Sequence, residues 1–227
     1  MNGVALDRAP LNLDLSLYLV TDSAQAAAAG RSIVDVVRHA VAGGVSAVQV
    51  REKETAGREF LDTVLRIADV LPDTVALIVN DRVDVFLAAR AAGRRLTGVH
   101  VGQSDLPVGA VRDLVGADVV IGLSASTDAQ LRRAADDPAL VDYVGIGALH
   151  TTRTKKDAPP ALGLAEFARL VGVSTLPAVA IGGVGLGDLA ALRECGAAGA
   201  AVVSAICASP HPEQAAREFR AAWGVTA

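Results

Sequence analysis

The sequence predicts an α/β fold, a single (β/α)8 TIM barrel. Three observations carry that expectation. Short apolar runs alternate with longer helical patterns from Leu15 onward, and eight such runs can be counted. Hydrophobic residues make up 52% of the 227 but aromatics only 3%, so the core must be built from Ala, Val, Leu and Ile, which fill a barrel interior in layers. The residues that follow each run are polar, charged or glycine, as strand ends around a shared mouth would be.

In chain order, residues 1–14 show no period and read as a mobile lead-in, with the barrel over 15–227. Strands are expected at Leu15–Thr21, Ala47–Arg51, Ala76–Asn80, Gly98–Val101, Val119–Ser124, Tyr143–Ala148, Ala178–Gly182 and Ala201–Ile206. Most are unbroken β-branched or small apolar runs, the pattern of strands buried on both faces. Ile33, Val37, Ala40 and Val41 mark one face of a first helix with Ser32 as its cap; Phe60, Val64, Ile67 and Ala68 mark a second. Further helices fit Arg82–Ala92, Pro107–Val115, Thr127–Asp136, Leu164–Val171, Gly187–Cys195 and Pro212–Trp223. Pro107 and Pro212 suit first-turn positions, and Gly43, Gly93, Gly116 and Gly196 stand where helices stop. Eight such units match a barrel of about 250 residues better than an open doubly wound sheet, the alternative.

Several function classes are disfavoured. The net charge of -4 argues against non-specific nucleic-acid or anionic-membrane partners. No apolar run reaches the ~18 residues of a membrane span, and Asp7, Arg8, Asn12 and Asp14 interrupt any signal-like start. Cys195 and Cys207 lack metal-ligand spacing and read as two buried thiols in a reduced cytoplasm. The segment TDSAQAAAAG after the first strand lacks GxGxxG, which weakens a dinucleotide-binding reading.

Chemistry is expected at the strand ends. Asp81 and Asp105 follow the third and fourth strands, neighbours in a barrel, and two carboxylates suit Mg²⁺. The alternative makes them a helix cap and a turn residue. Arg51, Lys53 and Lys155 would converge on the same mouth, where a Mg²⁺-bound pyrophosphate satisfies both signs of charge. Lys53 with Glu54 could equally be a surface pair. The polar loop within Asp142–Gly163 carries Thr151, Thr152, Arg153, Thr154, Lys155 and Lys156, suggesting an oxyanion site, with a solvated surface loop as the even alternative. Gly182-Gly183 and Ser204 follow the last two strands, where barrels commonly bind phosphate. Two anion sites imply two phosphorylated small-molecule substrates, or one with phosphate at both ends. Acid–base chemistry has little support. His100 reads as a core or pore-lining residue, His39 and His211 as peripheral, and His150 is the histidine at the mouth, where it could touch substrate.

The stretches LYLVTD, QVREK, NDRVDV, GVHVGQSDLP, IGLSAST, DYVGIGALHTTRTK, AIGGV and VVSAI, in this order from Leu17 to Ile206, resemble thiamine-phosphate synthases. The resemblance implies a (β/α)8 barrel that couples hydroxymethylpyrimidine diphosphate to thiazole phosphate, forming thiamine phosphate and releasing pyrophosphate. It implies that Gln49, Arg51, Lys53, Asn80, Ser124 and Lys155 hold the pyrimidine diphosphate. Asp81 and Asp105 would bind Mg²⁺, and Thr152, Thr154, Gly183, Val203 and Ser204 would hold the thiazole phosphate. Arg51, Lys53, Lys155 and Ser124 are the residues expected to serve catalysis. The chain departs from the family's Gly-Pro-hydrophobic-Phe with Gly147-Ala148-Leu149-His150. A thiazole tautomerase-like isomerase and a non-catalytic phosphate-binding barrel are the rival readings; the first would not need the full pyrophosphate set, the second would not need the carboxylates. A homo-oligomer is compatible with the sequence, and a cytoplasmic location is expected.

Overall fold

The computed structural model describes residues 13–52, 55–137, 139–152 and 160–224. Eight parallel strands close into a barrel in chain order. They are β1 Leu17–Val20, β2 Ala47–Val50, β3 Ala76–Asn80, β4 Gly98–Val101, β5 Val120–Ser124, β6 Tyr143–Gly147, β7 Ala178–Ile181 and β8 Gly199–Val202. Tyr18 of β1 lies opposite Ala47 on one side and Ala201 on the other, which completes the ring.

The connecting helices are α1 Ser23–Ala28, α2 Ile33–Ala42, α3 Gly57–Ala68, α4 Val83–Ala91, α5 Val108–Val115, α6 Asp128–Asp136, α7 Gly163–Val173, α8 Leu189–Glu194, α9 Ser204–Cys207 and α10 Pro212–Trp223. The Ser32 hydroxyl caps α2 by accepting from Asp35 N at 3.1 Å, and Pro212 opens α10. None of the described helices is long and apolar enough to cross a membrane.

One element corrects the sequence expectation and another adds to it. The last strand, expected over Ala201–Ile206, runs over Gly199–Val202, and residues from Ser204 wind into α9. Gly199 and Ala200 carry little strand signal, whereas the apolar run continues past the point where the strand ends. The Ala-rich segment after β1 forms α1, capped by Asp22, whose carboxylate accepts from Gln25 N at 3.0 Å. The cysteines are also unlike each other: Cys207 is buried, but Cys195 is partly exposed. Of the N-terminal lead-in, Leu13 packs against the barrel interior and Asp14 pairs with Arg220 of α10 at 3.2 Å; residues 1–12 lie outside the described residues.

Strand side chains divide by period two. Leu17, Leu19, Val48, Val79, Ile121 and Val144 point outward into the layer beneath the helices. Burying each contributes about 1.5–3 kcal/mol. Tyr18, Val20, Ile78, Tyr143 and Val179 point inward as a separate cluster. Every Tyr, Phe and Trp is buried, so the scarce aromatics are all spent on the core. Room inside for two tyrosine rings comes from glycine: a Cβ on Gly122 would stand 2.2 Å from the Tyr143 ring. At the opposite end of the strands, buried Arg112 donates to the carbonyls of Ala139, Val119 and Leu140 at 2.8, 2.6 and 2.8 Å and pairs with Asp142. That end ties β5 to β6 and leaves the other free for chemistry.

Candidate active site

The floor of the barrel mouth is a chain of polar groups, buried except for half-buried Ser124, drawn from five strands. Gln49 Nε2 donates to the Tyr18 hydroxyl at 2.8 Å, and the Tyr18 and Tyr143 hydroxyls meet at 2.8 Å. The Tyr143 hydroxyl meets His100 Nδ1 at 2.9 Å, and His100 Nε2 meets Ser124 Oγ at 3.0 Å. These residues project inward because they occupy alternate positions on β1, β2, β4, β5 and β6. Burial raises the pKa of both phenols above the ordinary 10.0, so they stay protonated and serve as neutral hydrogen-bonding groups. Together with Val20, Val179 and Ile181 they line a cavity of about 30 Å³. A larger cavity of about 290 Å³ lies in the helical layer between Arg31, His39, His211 and Arg217, away from the strand ends.

Above this floor stand the charges. Arg51 follows β2 and is half-buried; its backbone N–H donates to Thr21 Oγ1 at 2.9 Å. Burial lowers its pKa, and the charges of Asp81, Asp22 and Glu52 work against that shift. A guanidinium keeps its charge under such a shift. Asp81 follows β3 with a left-handed backbone, φ 59°, a conformation that Asp tolerates better than most residues. Its N–H donates to the His100 carbonyl at 2.8 Å, which ties the β3 end to β4. Asp105 has the turn contact foreseen as its alternative role: its Oδ2 accepts from Gly102 N at 2.7 Å. Asn80 ends β3 opposite His100. Gln103 Nε2 donates to the Ser124 carbonyl at 2.7 Å, so the β4 loop leans on the β5 end.

The polar loop after β6 leaves and returns at one place. Leu149 N and His150 N donate to the Ile181 and Gly182 carbonyls, both at 2.9 Å. On the return, Leu162 N and Gly163 N donate to the Ala148 and Leu149 carbonyls, again at 2.9 Å. Thr152 is half-buried, Val203 packs against the interior cluster, and Ser204 is exposed at the start of α9. Gly183 has φ 70°, and a Cβ there would lie 2.9 Å from His150 Cβ. Lys53, Thr154 and Lys155 lie outside the described residues.

The structure therefore brings Gln49 and Ser124 into one hydrogen-bonded chain and sets Arg51 in the field of Asp81. Sequence reasoning missed Tyr18 and Tyr143, which read as ordinary strand residues; His100 faces the barrel interior, in line with its pore-lining reading. A Tyr on the inward register of a strand, opposite an inward Gln or His, was the available signal.

A family model described as thiamine monophosphate synthase matches residues 17–206. A thiamine-phosphate synthase of Syntrophomonas wolfei subsp. wolfei is 42% identical, over 94% of this chain and 98% of its own length. One of Albidiferax ferrireducens is 44% identical, over 91% of this chain and 90% of its own. Among solved structures, thiamine phosphate pyrophosphorylase from Pyrococcus furiosus superposes with a TM-score of 0.80 at 28% identity, covering 92% of this chain and 95% of that one.

Proposed function

The chain belongs to the thiamine monophosphate synthase family, and on that premise we propose how its barrel mouth works. The activity is a transfer. It couples 4-amino-5-hydroxymethyl-2-methylpyrimidine diphosphate with 4-methyl-5-(2-phosphooxyethyl)thiazole, giving thiamine phosphate and pyrophosphate, a step of thiamine biosynthesis. The isomerase and non-catalytic readings lack such support, since curated relatives spanning more than nine-tenths of the chain are synthases.

Gln49, Asn80 and Ser124 hold the pyrimidine over the neutral floor, and Arg51, Lys53 and Lys155 take its diphosphate. As pyrophosphate leaves, these cations stabilise the charge gathering on its oxygens. Asp81 and Asp105 fit Mg²⁺: both offer hard oxygens on loops after adjacent strands. No group of three or more His, Cys, Asp or Glu able to hold a metal occurs among the described residues, so the ion's other ligands would be water and diphosphate oxygens. When bound, Mg²⁺ supplies further positive charge at the leaving group. Thr152, Thr154, Gly183, Val203 and Ser204 hold the thiazole phosphate. The thiazole nitrogen carries no proton to remove, so the reaction needs orientation and exclusion of water rather than a general base. Two free thiols suit a reducing cytoplasm.

The observation that carries the assignment is half-buried Arg51 in the field of Asp81 at the strand ends, with Arg51 two residues beyond Gln49 of the polar chain. The purified protein is expected to release pyrophosphate only with both substrates and Mg²⁺ present. Folded protein that forms no thiamine phosphate in that assay would overturn the function.

A further inference from the structure

We propose that His150 and Asp188 form a clamp that positions the thiazole-phosphate end of the site. The proposal rests on the functional reading above and concerns residues which that reading leaves without a role. His150 Nε2 and Asp188 Oδ1 lie 2.9 Å apart. The other carboxylate oxygen, Oδ2, accepts from Gly185 N at 2.8 Å. One carboxylate thus ties two segments together: the foot of the polar loop after β6, and the turn after β7 that contains Gly182 and Gly183.

The backbone shows what this tie holds. His150 N donates to the Gly182 carbonyl at 2.9 Å, so His150 is bound to the β7 turn through both main chain and ring. Its Cβ occupies the space a side chain on Gly183 would need, and the Thr151 carbonyl lies 3.3 Å from the same point. A shift of His150 therefore shifts the Gly182-Gly183 peptide and the start of Thr151-Thr152 together. Of these, Gly183 and Thr152 are among the groups assigned to the thiazole phosphate. The Asp188 side chain is only 16% exposed, where a charge-assisted hydrogen bond is stronger than at an open surface. With its Nε2 engaged by Asp188, the imidazole acts as a positioning residue.

The pair would set the affinity for one substrate and leave the other alone. Steady-state kinetics with each substrate varied in turn is the test, paired with calorimetric titration of the thiazole phosphate into the protein alone. His150→Ala is expected to raise the KM for thiazole phosphate about tenfold, the loss of one hydrogen bond to a charged group. Calorimetry should show a matching fall in affinity, and the KM for the pyrimidine diphosphate should stay within about twofold. His150→Gln, which carries an N–H to a similar position, should recover most of the loss. Asp188→Ala should behave like His150→Ala, and the double variant should add little to either. Equal rises in both KM values, no rise, or a Gln variant no better than Ala would each overturn the clamp. If the wild-type protein binds thiazole phosphate but makes no product, the synthase reading fails, and the calorimetric comparison still decides the clamp.

Discussion

The Tyr18 and Tyr143 hydroxyls meet at 2.8 Å in the middle of the barrel, with the two rings edge to face at 6.0 Å between centroids. This contact joins the Gln49 side of the site to the His100–Ser124 side. A single missing hydroxyl would cut the chain in two.

Tyr143→Phe is therefore expected to cost about 1–3 kcal/mol, because the Tyr18 hydroxyl and His100 Nδ1 each lose a partner in a buried setting. Urea unfolding measures it. A loss well under ~0.5 kcal/mol would mean that water replaces the hydroxyl, and that the chain is less coupled than its geometry suggests.

Gly122→Ala should be harmful for a different reason. Its methyl group would sit 2.2 Å from the Tyr143 ring, whose hydroxyl is held by Tyr18 and His100. A destabilisation of about 3 kcal/mol is expected from overpacking, with turnover falling as Tyr143 moves. Thermal melting and the coupled pyrophosphate assay read the two effects separately.

Asp81→Asn should raise the Mg²⁺ concentration needed for half-maximal rate by roughly tenfold or more, since one of two carboxylate ligands becomes neutral. Asp84→Asn is the control: that residue pairs with Arg82 at the surface. An unchanged Mg²⁺ titration for Asp81→Asn would reduce Asp81 to the residue that turns β3 into α4.

Lys155→Ala should lower turnover by about 10²–10³ through loss of charge at the leaving group. Circular dichroism and the melting temperature should be unchanged. Its role rests on the TTRTK motif, so equal turnover in the variant would remove it from the mechanism.

Alkaline pH should weaken the fold. Burial pushes the Cys207 thiol up from 9.0 to about 12 and raises both interior tyrosines above 10.0. A group whose pKa is higher in the folded state binds its proton more tightly there. Its contribution is complete below the unfolded pKa and is lost as pH climbs through the folded one. Stability should thus be flat up to about pH 9 and decline from there toward pH 12. In native protein near neutrality, Cys195 should react with a thiol reagent and Cys207 only after unfolding. Equal reactivity of the two would contradict the burial.

Much of the barrel was legible because its outward strand positions hold Val, Leu and Ile while many inward ones hold Gly or Ala. Apart from the few inward polar residues such as Gln49 and His100, both sets are apolar or small, so most strands read as one run with clear ends. β3 and β4 have their expected limits for this reason. Where the run outlasts the strand, as from Val202 into Ile206, the boundary was hidden, and α1 and α9 are too short to show a helical period. The candidate site divides in the same way. Arg51, Asp81 and Asp105 announce themselves as charges after strands. Tyr18 and Tyr143 are 125 positions apart, and only the closed register brings their hydroxyls together. The His150–Asp188 contact likewise spans two loops and has no local signature.

The pairing of β1 with β8 has a consequence for how the molecule comes into being. The first strand to be synthesised finds its second neighbour only when Gly199–Val202 has been made. Until then the growing sheet has an open edge at β1 and another at its latest strand, both able to pair wrongly. Tyr18 waits on that edge for Tyr143, so the polar floor and the sealing of the ring are late events of one assembly. Ribosome-bound chains halted before β8 should therefore be protease-sensitive along β1, the barrel strand that has had the longest time to fold.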